Sequence, residues 1–331
     1  MENLNIDLLK KIVSTYSPAG NETRICQLIK KEVEPYADEI YTDALGNLIV
    51  RKKGTGKKVL LAGHMDQIAL MVTYVDDKGF LRFTNIGGIS PAVTYSQRVI
   101  FENGTIGVIG CEKIDSLKDL TLDKLFIDIG ATSKEEAEER VSIGDVCVYY
   151  SEVIVDDRHM IAPALDDRIG CYIMIEILKT MKSSKNDIYF VFTVQEEVGT
   201  RGAKTAGYAI EPDVAISFDV TATGDTPKAR PMAVQLGHGP AVKVKDNSIL
   251  CHPKVKNLMI DNAKKHSIPY QLEVLEFGGT DSGAIHLTRS GVPSGVLSIP
   301  TRYIHSTCEM VSLSDVKQTI NLSIKILEEE I

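Results

Sequence analysis

The chain has 331 residues, 44% apolar and 25% charged, with 37 basic against 45 acidic side chains and a formal net charge of −8. This is globular composition with length enough for one large core or two domains, and it excludes a disordered chain. The acidic balance, with no Lys/Arg run longer than Arg51-Lys52-Lys53 and otherwise only pairs such as that at 57–58, argues against nucleic acid as the main partner and for a small molecule or peptide.

Helical periodicity opens the chain around 5–14 and again around 20–35, the second helix expected to be capped by Asn21 before ETRICQLIKKEV. STYSPAGNE, with Pro and Gly, reads as the loop between them. Short strands are predicted at about 40–43 and 47–51 with LGN as turn chemistry, then the apolar strand KVLLAGH at 58–64. From about 70 to 160 the texture changes: LMVTYVD, LRFTNI, QRVIFENGTIGVIG and GDVCVYYSEVIV read as short strands with Gly/Asn turns, and only SKEEAEERV reads as a helix. This is a β-rich unit inserted into something else.

Past 160 helix and strand alternate, as in a doubly wound α/β sheet. Helix DDRIGCYIMIEILKTMK precedes strand DIYFVFTV, a helix near 201–208, strand DVAISFDV, helix KVKNLMIDNAKKH, strand YQLEVLEF, a Gly-rich loop, strand VPSGVLSIP and a helix from about 313 to 329. The predicted organisation is therefore a catalytic domain of residues 1–69 and 160–331 interrupted by a β-rich unit over 70–159. Six cysteines at 26, 111, 147, 171, 251 and 308 show no CxxC spacing, which suggests a reducing compartment. MENLNIDLLKK lacks a signal-peptide core and no apolar run approaches a membrane span, so a soluble, cytoplasmic protein without membrane partners is expected.

The chemistry gathers at strand ends. In YFVFTVQEEVGTRGA (189–203) a run of β-formers ends on Glu196-Glu197, where buried carboxylates need partners or must give up their charge. His64 and Asp66 in LLAGHMDQIAL lie at i and i+2, leaving on one side of the chain, so that one can bind a metal while the other works behind it. That pair alone would equally suit a polar turn. Asp166-Asp167 in APALDDRIG opens a helix, and capping explains one aspartate but not the pair of glutamates one strand later, nor Asp219 ending DVAISFD, nor His305 in IPTRYIHS. Ligands of open α/β sheets bind beyond the carboxyl ends of the strands, where these motifs fall. His64, Asp166, Glu197, Asp219 and His305 form a two-His, three-carboxylate set suited to two zinc-like divalent ions, one carboxylate bridging them at about 3.5–4 Å. Two cations would also offset the repulsion within this acidic cluster.

The ordered series AGHMDQIALMV, ALDDRIG, VQEEVGTRGA, SFDV, FGGTDSGAIH and RYIHS resembles the co-catalytic dinuclear metalloaminopeptidases that assemble as tetrahedral particles, a family of glutamyl and deblocking aminopeptidases whose members are often labelled cellulases or endoglucanases. The resemblance spans nearly the whole chain. It implies a zinc-peptidase type of mixed sheet with a barrel-like assembly insert, and two divalent metals per subunit, zinc in the first place and cobalt as the alternative. It makes Asp166 the bridging ligand, His64 and Asp219 ligands of one ion, and Glu197 and His305 ligands of the other. Glu196 becomes the general base, Asp66 the partner of His64, and the Asp166-Asp167 bond a cis peptide. It also implies that the loop GGTDSG at 278–283 lines the substrate pocket, and that dimers build a homo-dodecamer enclosing the active sites.

The expected reaction is removal of the N-terminal residue from short peptides, with a water activated by the two metals and Glu196 moving its proton. A metallocarboxypeptidase or deacylase would share the ligand set. An endoglucanase needs two carboxylates flanking a sugar bond, but it would leave His64 and His305 idle, and the chain has no Trp to stack a sugar. A binding protein would need the ligands but not Glu196. Among the other histidines, His238 in QLGHGP is the one weighed as a substrate-loop residue; Cys308 is a ligand candidate made unnecessary by the other five. Lys243, Lys245, Arg230 and Arg302 are weighed as favouring acidic residues in the first pocket.

Overall fold

The computed structural model describes residues 4–331. Helix α1 (Ile6–Val13) buries Leu8, Leu9, Ile12 and Val13 on one side, and Asn5 caps it by accepting from the Leu8 N–H at 3.1 Å. Helix α2 (Thr23–Val33) buries Ile25, Ile29 and Val33 at helical spacing. Its cap differs from the expectation. The residue before its first turn is Glu22, whose Oε1 is turned back to accept from the Gly20 N–H at 2.7 Å, while the Asn21 side chain reaches Glu102.

Strands β1 (Glu39–Thr42), β2 (Leu48–Lys52) and β3 (Lys58–His64) enter the large sheet. The chain then leaves it for β4 (Ala69–Val75), β5 (Leu81–Ile86), α3 (Pro91–Thr94), β6 (Arg98–Phe101), β7 (Ile106–Cys111), β8 (Leu125–Asp128), α4 (Lys134–Glu138) and β9 (Val146–Tyr149). The six strands close into a barrel in the order β4-β5-β8-β7-β6-β9 around its own core, which includes Val72, Leu81, Ile109, Ile127 and Cys147. The last stretch read with this unit divides: VCVY is a barrel strand, whereas β10 (Ile154–Val155) pairs with β11 (His159–Ala162) in the large sheet.

The rest of the chain is α5 (Leu165–Thr180), β12 (Asp187–Thr193), α6 (Arg201–Ile210), β13 (Val214–Thr221), β14 (Ala241–Lys245), α7 (Pro253–Lys265), β15 (Gln271–Val274), α8 (Asp281–Ile285), β16 (Ser294–Arg302), β17 (Glu309–Ser312) and α9 (Leu313–Glu328). The large mixed sheet runs β1-β2-β12-β3-β13-β16-β17-β11-β10, with β14 on β16 and β15 on β14. Strand period sorts its side chains between two layers. Val59, Leu61, Phe190, Phe192, Ile216 and Phe218 meet α1, α2, α5, α7 and α9 on one face, while Leu60, Ala62, Tyr189, Val191 and Ala215 meet α6 and α8 on the other. Sequence reading missed β14, because AVKVK carries two lysines; the structure buries Lys243 completely against Glu273. It also missed α8, which forms inside the Gly-rich loop. No helix among the described residues is long and apolar enough to cross a membrane.

The arrangement of the sheet centre positions the site. Strands β12, β3, β13 and β16 are mutually parallel, so their carboxyl ends open along one edge.

Candidate active site

His64 is the last residue of β3, Asp219 lies near the end of β13, Glu196 and Glu197 follow β12, and His305 follows β16, so four parallel strands deliver their side chains to one edge. Asp166 comes from elsewhere, the first turn of α5 after antiparallel β11, and its bond to Asp167 is cis.

Asp166 is the centre of the cluster. Its Oδ1 stands 3.0 Å from His64 Nε2 and its Oδ2 3.2 Å from His305 Nε2. Glu197 Oε1 lies 3.3 Å from the same His305 nitrogen, and Glu196 Oε2 lies 3.9 Å from His64 Nε2. One ligand atom each from His64, Asp166 and Glu197 falls within 4.8 Å of the others, close enough to share an ion. Asp219 lines the same cavity.

Behind this layer stand carboxylates that hold the backbone. Asp66, fully buried, faces His64 Nδ1 at 3.5 Å with Oδ1, and it accepts from the Glu196 N–H at 2.9 Å through Oδ1 and from the Glu197 N–H at 3.1 Å through Oδ2. Glu22 Oε1 accepts from the preceding amide, that of Gln195, at 3.1 Å. Three successive N–H groups of this turn are thus held by two buried acids, and Gln195 sits at φ 55°, where a side chain is rarely comfortable. Glu309 joins the two remaining elements, accepting from the Asp166 N–H at 3.0 Å and the His305 N–H at 2.8 Å. Asp167 Oδ2 accepts from the His64 N–H at 3.1 Å. Sequence reading missed Glu22 and Glu309 because their roles depend on which distant amides they meet; the only local signal was an acidic residue at a buried position.

Burial works against protonation of both histidines, yet the surrounding carboxylates prevail: Asp166 and Asp66 raise His64 well above its ordinary range, and Asp166 and Glu197 push His305 up to about 12. Burial raises the carboxyl of Glu196 well above its usual value against the pull of His64, with the Asp219 charge adding to the rise. Asp219 is raised by burial and by Asp166. Such a cluster is short of positive charge. Glu197 Oε1 is moreover buried without accepting a hydrogen bond. Acidic donors crowded around two imidazoles, one of their oxygens left unsatisfied, fit a divalent cation site by charge and by donor type.

The cavity above the cluster measures about 720 Å³. Its walls come from the end of β13 and the stretch to Thr226, from Leu275 to Gly279, and from Thr301 to Ile304. Of the loop 278–283, Gly278 and Gly279 reach this lining. The barrel contributes too: Gly88, in the turn after β5, lines the cavity, and a Cβ on it would lie 3.1 Å from His305 Nδ1. The neighbouring Gly87, at φ +80°, passes so close that a Cβ would lie 3.0 Å from Glu197 Oε2. His238 is exposed and absent from this lining, and Cys308 is exposed with its sulfur 3.6 Å from Ser306 Oγ.

The model of the M42 glutamyl aminopeptidase family matches residues 46–322. A lysyl aminopeptidase of Pyrococcus furiosus is 37% identical over 339 residues, covering 98% of this chain and 96% of its own. Among solved structures, the aminopeptidase APDkam598 of the archaeon Desulfurococcus kamchatkensis superposes with a TM-score of 0.94 at 38% identity, over 98% of this chain and 94% of its own. The Pyrococcus horikoshii TET1 peptidase, described as able to assemble into a tetrahedron or a large octahedral shell, superposes with a TM-score of 0.88 at 34% identity, over 98% and 99%. With parallel strands delivering histidines and acids to one cavity, and with likeness to aminopeptidases along nearly its whole length, this chain belongs to the M42 glutamyl aminopeptidase family.

Proposed function

We propose that this aminopeptidase works with two divalent metal ions and releases N-terminal residues from short peptides. The observation that carries the reading is Asp166, whose two carboxylate oxygens each face a different histidine, the disposition of a ligand shared between two ions. His64 and Asp219 would complete one site, and Glu197 and His305 the other. When bound, such ions, zinc or alternatively cobalt, supply Lewis acidity that lowers the pKa of water and polarises the scissile carbonyl.

The remaining chemistry is the chain's own. Glu196 is the general base: it accepts the proton of the attacking water and returns it to the leaving amine. Asp66 orients His64 through Nδ1 and fixes the amides of Glu196 and Glu197, so the base and the ligand beside it hold their places together.

Chelator-treated protein should be inactive on a panel of aminoacyl-nitroanilides and regain turnover with zinc or cobalt, with no action on carboxymethylcellulose or on N-blocked substrates. Activity that survives chelation, or cleavage of the cellulose alone, overturns the reading. We also assign the barrel an assembly role, in a dodecamer built from dimers and enclosing the active sites within the cytoplasm. Its exposed Tyr74, Ile106, Val108, Leu117 and Ile143 support an interface, and the six free thiols accord with a reducing compartment. Light scattering should find about twelve chains of 36.3 kDa; a fully active monomer would refute the assembly.

A further inference from the structure

Of the four cations that the sequence analysis weighed as favouring an acidic N-terminal residue, three lie outside the cavity lining. Lys243 is fully buried between Glu273 and Asp246, the latter at 3.5 Å. Lys245 Nζ donates to the backbone oxygen of Asp246 at 3.2 Å. Arg230 is exposed, its guanidinium 5.5 Å from the centre of the Phe277 ring. Only Arg302 lines the cavity.

Arg302, however, faces a carboxylate of its own. Its Nε donates to Asp225 Oδ1 at 3.1 Å and an Nη to Asp225 Oδ2 at 2.7 Å, the paired geometry in which guanidinium and carboxylate cancel one another. Asp225 also accepts from the Leu236 N–H at 2.9 Å, which fixes it in place. Apart from the catalytic cluster, Arg302 is the one charged residue of the lining, so outside that cluster no lining side chain carries an unpaired charge; Arg230, stacked on Phe277, is not itself part of the lining. The rest is neutral, with the apolar Val220, Ala222, Leu275, Phe277 and Ile304 set among threonines, glycines and Tyr303.

We propose that this cavity selects peptides whose N-terminal side chain is neutral and apolar, and that the Arg302–Asp225 pair sets the preference by cancelling charge at the pocket wall. A glutamyl side chain would need an unspent cation there and a lysyl side chain an unspent carboxylate; either would be desolvated without a partner. The inference rests on the aminopeptidase activity and adds its substrate class, distinct from both the glutamyl name of the family and the lysyl name of the Pyrococcus furiosus relative. It makes the pair a switch. Removing the acid frees a cation, and removing the arginine frees an acid.

The test is a panel of Leu-, Met-, Glu- and Lys-nitroanilides on the metal-loaded wild type, Asp225→Asn and Arg302→Met. The wild type should favour Leu and Met over Glu and Lys by at least about tenfold in kcat/KM, the scale on which a pocket discriminates. Asp225→Asn should raise Glu relative to Leu about tenfold, and Arg302→Met should raise Lys relative to Leu by a similar factor. Calorimetric titration of Leu-, Glu- and Lys-initiated tripeptides into metal-loaded Glu196→Gln protein should give the same order of affinity. A wild-type preference for Glu or Lys overturns the proposal, as does an unchanged order in both variants. Should the variants not fold, the wild-type panel and the titration decide. Absence of turnover on every member overturns the activity at this site and the inference with it, whereas a charged preference overturns the inference alone.

Discussion

The barrel and the sheet that it interrupts have opposite interiors. Among the described residues the barrel's buried side chains are apolar save for the hydroxyls of Thr94 and Tyr149, which lie 2.6 Å apart, the Thr94 hydroxyl donating to the Ser90 backbone oxygen at 2.8 Å. The sheet's carboxyl edge buries Glu22, His64, Asp66, Asp166, Asp167, Arg168, Asp219, Asp281 and Glu309. An apolar interior is the low-energy solution, with nothing in it that needs a partner. A cluster of buried acids is stable only when backbone amides, counter-charges or bound cations meet it. The two interiors thus differ in what holds them together, and among the contacts between the regions the turn Gly87-Gly88 brings the barrel up to His305 and Glu197.

The largest effect should come from the chemical side. If Glu196 is the base and not a ligand, Glu196→Gln will lower kcat by about 10²–10⁴ while leaving the metal content, measured by atomic emission, unchanged. Loss of metal together with activity would exchange the roles of Glu196 and Glu197.

The junction between the regions should respond on an intermediate scale. Gly87→Ala places a methyl 2.8 Å from Ile68 Cγ2 and 3.0 Å from Glu197 Oε2 at a positive φ, so kcat/KM should fall about tenfold with a loss of stability of about 1–3 kcal/mol. Ile127→Ala, in the barrel core, should do the reverse: a loss of about 2–5 kcal/mol in urea denaturation with kcat nearly unchanged. If Ile127→Ala lowered kcat as much as Gly87→Ala does, the two regions would not be separable as described.

The smallest effect concerns pH. Burial would raise the Asp225 carboxyl, but the Arg302 guanidinium and the Leu236 amide overcome this and hold it well below its ordinary value. The folded state therefore binds fewer protons at this group than the unfolded one. Its contribution is fully present above about pH 4, the unfolded value, and is lost as pH falls toward the folded one. Both partners keep some exposure, 26% and 17% of their side chains, so the effect is modest. Thermal melts of the wild type should fall more steeply as pH drops below about 4 than those of Asp225→Asn; parallel acid limbs would refute the linkage.

How much of this was legible in sequence varied with the distance over which each interaction acts. Helix α2 could be read from its apolar period, and the strands β3, β12 and β13 from unbroken runs of β-formers, because burial on both faces leaves a continuous mark. His64, Asp166, Glu197, Asp219 and His305 could be picked out because polar residues at the ends of such strands are costly unless employed. The cap of α2 was misread, since the Glu22 carboxylate is turned to Gly20 and to Gln195 far along the chain. Lys243 was weighed as a cation of the first pocket, whereas it is buried against Glu273, which lies on a strand paired to its own only by the fold.

The sequence by itself determined the alternation of elements, the acidic residues at strand ends and the change of texture where the barrel begins, because these follow from local periodicity and from the cost of burying charge. Tertiary structure decided that Asp166 faces two histidines, that Asp66 and Glu22 hold three successive amides, and that Asp225 cancels Arg302 at the pocket wall. Coulomb and hydrogen-bond energies depend on separations of a few ångströms between groups scores of residues apart, and only the folded chain sets those separations.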